Sequence, residues 1–275
     1  IGFQHLQQKR IEKAGPTQPS VLPATQTPET LNIAPALQEE EHKQVLKTAA
    51  GDTVASKQIA VIQGDLYRAV LDNRGAVLTS WELSKYKSSQ RKNFEMIAAN
   101  HNGGELFFPG AIIFEDQKLT TAANEGFYQI TVDGEPYDGE VLAPPATVAF
   151  TFKRDNLFIE KIFNFEKERC ILNLTSNFSV DGRVLAGKFF LGQDIGPEQE
   201  HLLRSAKLEV AYYAEGKVRR ESAPDDEKEI KKIEGNIGWV GLDMQYFAMI
   251  AIPDTPLHNF DIQKRQTRTL GVDGK

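Results

Sequence analysis

Leu66-Tyr67-Arg68-Ala69-Val70-Leu71-Asp72-Asn73-Arg74-Gly75-Ala76-Val77-Leu78-Thr79-Ser80-Trp81-Glu82-Leu83 is the stretch on which the fold turns. Leu66, Arg68 and Val70 alternate with Tyr67, Ala69 and Leu71, and further on Val77, Thr79, Trp81 and Leu83 alternate again. A period of two sends successive side chains to opposite faces, the mark of a half-buried strand. Asp72-Asn73-Arg74-Gly75 between the two runs supplies turn chemistry. The stretch predicts an antiparallel hairpin.

Similar short runs continue outward from it. Strands are expected over 106–108, 111–114, 127–132, 147–153, 158–165, 171–180, 188–191, 207–213 and 240–252. Turn clusters separate them, among them Val132-Asp133-Gly134-Glu135-Pro136, Lys153-Arg154-Asp155-Asn156 and Val180-Asp181-Gly182-Arg183. Many short strands without long helical periods predict an all-β sandwich. The one helix-like segment is 224–232, acidic first and basic last, which suits a helix dipole. No repeat of fixed period is present, so a propeller or solenoid is not expected.

Towards the N-terminus the pattern fails. No aromatic residue lies between Phe3 and Tyr67, and five of the thirteen prolines fall between Pro16 and Pro35. Such a stretch buries too little apolar surface to offset chain entropy. Residues 1–57 are therefore expected to be a disordered, flexible Pro/Thr/Gln-rich linker, whose start, Ile1 to Arg10, fits a membrane-proximal segment leaving a membrane helix, and 58–275 the folded domain.

Composition narrows function. A net charge of −6 and a pI near 5.5 oppose a nucleic-acid partner, which needs clustered cations. A single cysteine, Cys170, excludes an intrachain disulfide and reads as a buried, inert small hydrophobe. No run of 18 apolar residues is present.

A second stretch, Gly238-Trp239-Val240-Gly241-Leu242-Asp243-Met244-Gln245-Tyr246-Phe247-Ala248-Met249-Ile250-Ala251-Ile252-Pro253, reads from Gln245 to Ile252 as a buried strand closed by Pro253. Gly235, Gly238 and Gly241 leave room for backbones to approach one another around Trp239. Its spelling resembles the G-G-W-V … Q-Y-F-A … I-P segment in the large periplasmic domain of YidC-type membrane protein insertases from Gram-negative bacteria. Leu71-Asp72-Asn73-Arg74-Gly75-Ala76-Val77-Leu78-Thr79-Ser80-Trp81 is similar to the x-N-x-R-G-G hairpin near the start of that domain. The resemblance runs from about Lys57 to the C-terminus. It implies a galactose-mutarotase-like β-supersandwich of two large antiparallel sheets. It also implies a periplasmic module tethered to the inner membrane through an N-terminal helix, with a C-terminal membrane insertase domain beyond this chain. Its implied partners are auxiliary subunits of the Sec translocon and nascent membrane proteins, met through the region matching 166–232. Tyr212, Tyr213, Arg219 and Arg220 are the candidate contacts there, because Tyr and Arg supply much of the binding energy at interfaces.

Chemistry is not expected. No catalytic, cofactor-binding or metal-binding residue is assigned. His5, His42, His101, His201 and His258 include no pair at metal-ligand spacing. No P-loop, G-x-S-x-G or G-x-G-x-x-G is present. The alternative is an aldose-epimerase-like or carbohydrate-binding β-sandwich, because Asn73-Arg74-Gly75-Ala76-Val77-Leu78-Thr79-Ser80 also resembles the opening N-x-G-A-x-L-x-S of aldose epimerases. His101 or His201 with Glu198 or Glu200 would then have to supply an acid–base pair, though the N-H-x-Y-F-N type motif of that family is missing. Arg74 reads as a turn residue paired with a surface carboxylate, and Trp81 and Trp239 as core.

Overall fold

The structure, a computed structural model, describes residues 56–97, 107–196, 209–226, 228–244 and 246–263. Residues 1–55 of the expected linker, with His5 and His42, and likewise His101, His201, Glu198 and Glu200 lie outside the described residues.

The first hairpin forms as expected. β1 (Ile59–Gln63), β2 (Tyr67–Asp72), β3 (Val77–Lys87) and β4 (Asn93–Glu95) make a four-stranded antiparallel sheet in chain order. The Asp72 carboxylate accepts the Arg74 amide at 2.8 Å, which closes the turn through a local side-chain bond. β5 (Ile112–Ile113) leads into α1 (Gln117–Glu125), and Asp116 caps that helix by accepting the Lys118 and Leu119 amides. β6 (Gln129–Val132), β7 (Glu135–Pro136), β8 (Ala146–Arg154), β9 (Leu157–Phe165), β10 (Leu172–Val180) and β11 (Arg183–Val184) form a six-stranded sheet ordered β11-β10-β9-β8-β6-β7. β12 (Lys188–Phe189) pairs with β5. β13 (Glu209–Ala214), β14 (Lys217–Glu221), β15 (Ile230–Met244) and β16 (Phe247–Ala251) form the last sheet, ordered β14-β13-β15-β16, and β17 (Leu257–Gln263) also pairs with β15. The protein is an all-β sandwich, with one short helix among the described residues.

Alternation along β8 and β9 explains the main core. Val148, Phe150, Ile159, Phe163 and Phe165 point inward and meet Tyr67, Leu71 and Trp81 of the first sheet. The Tyr67 ring stacks on Trp81 at 4.3 Å, and Phe165 lies 6.2 Å from Trp81. Each fully buried side chain of this size stabilises the fold by roughly 1.5–3 kcal/mol. The five-stranded sheet joins the same core through Leu242 and Met244, and through Phe247 stacked on Phe94 at 4.1 Å.

Several expectations are corrected. The described residues of 224–232 form no helix. Ile230 already opens β15, whose ladder with β17 outweighs the charge order, and Lys231 and Lys232 pair with Glu221 and Glu234. The apolar run 240–252 is not one buried strand but the end of β15 and the whole of β16, in which exposed and half-buried residues alternate. Cys170 is exposed, in the turn before β10. Arg74 has no carboxylate partner among the described residues, and Trp239 is only half-buried whereas Trp81 is core.

Candidate interaction surface

Strand register sorts the last sheet into two faces. Tyr213 stands opposite Trp239 and Val218, Ala211 opposite Gly241 and Arg220, and Gly241 opposite Ile250. Residues directly opposite share a face, so these seven lie together. Tyr212, Val240, Leu242 and Met249 fall on the other face and pack inward.

The first of these faces looks outward. Tyr213 is 39% exposed, Ile250 50% and Val218 52%, and Ile252, just beyond β16, is 76% exposed. Two glycines let this face close up. A Cβ at Gly241 would come within 2.8 Å of the Met249 carbonyl and 3.0 Å of the Ile250 side chain, so Ile250 lies across bare backbone. Gly238 is the extra residue where the β13–β15 register slips between Tyr213 and Ala214, and the Tyr213 ring passes 3.1 Å from where its Cβ would be. The polar edge of the face is an ion-pair group. Arg220 Nη2 lies 2.8 Å from Asp243 and its Nε 3.7 Å from Glu209. Exposed pairs of this kind add little stability but fix the guanidinium beside the aromatic patch.

Of the four residues named from the sequence, this face holds Tyr213 and Arg220. Tyr212 is 4% exposed, its ring edge-on to Phe260 at 5.2 Å. Arg219 stands opposite Tyr212 and pairs with Glu215 at 2.5 Å. The four are thus divided two and two by the strand period, which a reading of adjacent residues as one patch overlooks. Trp239, Val218 and Ile250 complete the outward face. Their signal was the same alternation, hidden because an unbroken apolar run reads as wholly buried.

Buried charge lies elsewhere. Lys161, fully buried on β9, donates to the carbonyls of Gly75 at 2.6 Å, Gly110 at 2.7 Å and Ala76 at 3.1 Å, and its Nζ sits 5.5 Å from the centre of the Tyr128 ring. Three carbonyls satisfy the three protons of an ammonium. Burial nevertheless pushes its pKa down to about 7. Burial also pushes the Asp194 carboxyl up to about 6, against the bond it accepts from the Ile195 amide. The two groups hold separate backbone segments, and no acid–base pair is formed from them. Among the described residues no group of three His, Cys, Asp or Glu side chains is placed to hold a metal, and no helix is long and apolar enough to cross a membrane. His258 is exposed on β17.

Comparison with known proteins bears on this arrangement. The family model described as the YidC periplasmic domain matches residues 59–273. The chain is 22% identical over 235 residues to the membrane protein insertase YidC of Pasteurella multocida (strain Pm70), a match covering 80% of this chain and 42% of that protein. It is 24% identical over 213 residues to the membrane protein insertase YidC of Prosthecochloris aestuarii (strain DSM 271 / SK 413), covering 72% of this chain and 34% of that protein. The matched regions thus span less than half the length of these curated relatives. With the family model spanning the hairpin of β2 and β3 as well as the sheet that carries Tyr213 and Trp239, the chain belongs to the YidC periplasmic domain family.

Proposed function

We propose that this domain is a non-catalytic recognition module on the periplasmic side of the inner membrane, serving a membrane protein insertase through protein–protein contacts. Its partners in this reading are auxiliary subunits of the Sec translocon and periplasmic segments of membrane proteins during insertion. The observation that carries the reading is the outward face of the last sheet, where Tyr213, Trp239, Val218 and Ile250 lie beside Arg220. Contiguous exposed apolar residues bordered by fixed charge are the usual composition of a protein contact. Large aromatic and arginine side chains supply most of the energy in such contacts. Tyr213 and Arg220 keep their proposed role on this face. Arg219 lies on the opposite face with Tyr212 and takes no part in this reading, and Tyr212 acts only as the support beneath.

Site-specific photocrosslinking in membranes containing the translocon tests the reading. Probes at Tyr213, Val218 and Ile250 are expected to capture translocon subunits or inserting chains, while a probe at exposed Glu135, on the six-stranded sheet, stays silent. Equal capture of unrelated membrane proteins from all four positions would remove the claim.

A further inference from the structure

β15 is fifteen residues long, yet its two halves serve different neighbours. The C-terminal half pairs with β13 and β16, and the N-terminal half pairs with β17. The ladder is irregular on both edges at the same place. Gly238 is extra opposite β13, and Gly235 and Asn236 together oppose a single residue, His258, of β17. Gly235 has φ +148°, a backbone conformation that side chains rarely tolerate.

Contacts show that the strand bends sharply there. Val240 lies opposite Tyr212 and Ile233 lies opposite Phe260, seven residues further back along β15. A straight strand would separate these positions by roughly 23 Å at about 3.3 Å per residue. The Tyr212 and Phe260 rings are instead 5.2 Å apart. Lys231 likewise reaches Glu221 of β14 at 2.6 Å. The ribbon formed by the first half of β15 and β17 therefore arches over the inward face of β13 and β14.

That ribbon is weakly held by the standards of the rest of the molecule. It is two strands wide among the described residues, and an isolated two-stranded ribbon is marginal in water. The apolar cluster beneath it, built on Tyr212, Ala214, Ile237 and Val240, is separate from the main core. Beside that cluster the ribbon has one buried side chain of its own, Ile262, and ion pairs at its rim, part-buried Lys231 with Glu221 and exposed Lys188 with Asp261.

We infer that the ribbon is a strap. It lifts as a unit about the Gly235–Gly238 bend while the rest of the sandwich stays folded, and lifting turns Tyr212, Ala214 and Val240 from core into solvent-facing surface. Units with few apolar contacts and their own hinge open below the global unfolding energy. The strap is a property of the chain itself and stands whether or not the outward face binds a partner.

Hydrogen exchange on the unaltered 275-residue chain tests it first. Ladder-bonded amides of 230–234 and 257–263 are expected to exchange together, at least tenfold faster than those of 240–244. In a Cys170→Ser background, Ala214→Cys should react with a maleimide at least tenfold faster than Ala69→Cys in the main core, and Lys231→Ser should speed the Ala214→Cys reaction several-fold further. Ribbon amides that keep pace with 240–244, or an Ala214→Cys no faster than Ala69→Cys, would overturn the strap.

Discussion

Lys161 occupies a position that alternation along β9 reserves for an apolar side chain, between inward-facing Ile159 and Phe163. An ammonium is tolerated there because the turn at Gly75 and Ala76 and the loop at Gly110 bring three carbonyls to it. Lys161→Met removes the charge but orphans all three, and buried acceptors left unmade cost about 1–3 kcal/mol each. Relief from burying a charge offsets part of that loss. A net loss of about 2 kcal/mol at pH 7 is expected, read as a lower urea midpoint at unchanged slope. The pH dependence has a definite sign. The folded pKa of about 7 lies below the ordinary lysine value of 10.5, so the unfolded chain holds more protons between those limits and wild-type stability rises with pH. From pH 7 to 9.5 the gap between wild type and Lys161→Met should widen by up to about 3 kcal/mol. Taking the difference removes the tyrosines, which burial holds above their ordinary value and which oppose stability only at higher pH. A gap that stays flat or narrows in urea melts at the two pH values would sink this account of Lys161.

Among elements, β16 joins the last sheet to the main core through Phe247 and Met249. Phe247 stacks on Phe94 at 4.1 Å and meets Tyr86 edge-on at 5.4 Å. Being half-buried, it should cost less than a core phenylalanine when truncated, and Phe247→Ala is expected to lose about 2 kcal/mol in thermal or urea unfolding. A loss below about 0.5 kcal/mol would mean that Leu242, Met244 and Met249 suffice to dock the sheet. The same strand shows what the sequence could and could not convey. The hairpin of β2 and β3 was legible because turn residues and strict alternation agree there. The run from Val240 to Ile252 was misjudged because neither glycine nor proline marks the break between paired Met244 and Phe247, and because apolar residues stand on both faces. α1 was missed for the opposite reason. Its buried positions are Thr120 and Ala123, which leave no apolar stripe, and only the Asp116 cap announced it. On the outward face, Tyr213 and Arg220 could be chosen from residue type. Tyr212 could not be separated from Tyr213 until β13 was known to lie across β15, since type says nothing about which of two neighbours turns inward.

At the scale of the whole molecule, the first described residues are tied into the sandwich by one buried amide. Asn73, with no exposed surface, accepts the Gln58 amide at 2.8 Å and donates to the Ser56 carbonyl at 2.8 Å and the Tyr128 carbonyl at 3.0 Å. The backbone of Asn73 adds a bond to the Gln58 carbonyl at 3.0 Å. The folded domain should therefore begin at or just before Ser56, ahead of the boundary expected at residue 58, and the difference is measurable. A chain starting at residue 54 is expected to melt with the 275-residue chain. One starting at residue 60 keeps every strand residue but Ile59, yet leaves the Asn73 side chain with one protein partner in place of three. Buried polar groups deprived of partners cost about 1–3 kcal/mol, so the shorter chain should be less stable by about 2 kcal/mol, a fall of several degrees in Tm. Asn73→Ala separates this cause from the loss of Ile59. In that background the two starting points should differ by less than about 1 kcal/mol. If truncation to residue 60 costs as much with Asn73→Ala as without it, the amide is not what fastens the start of the domain.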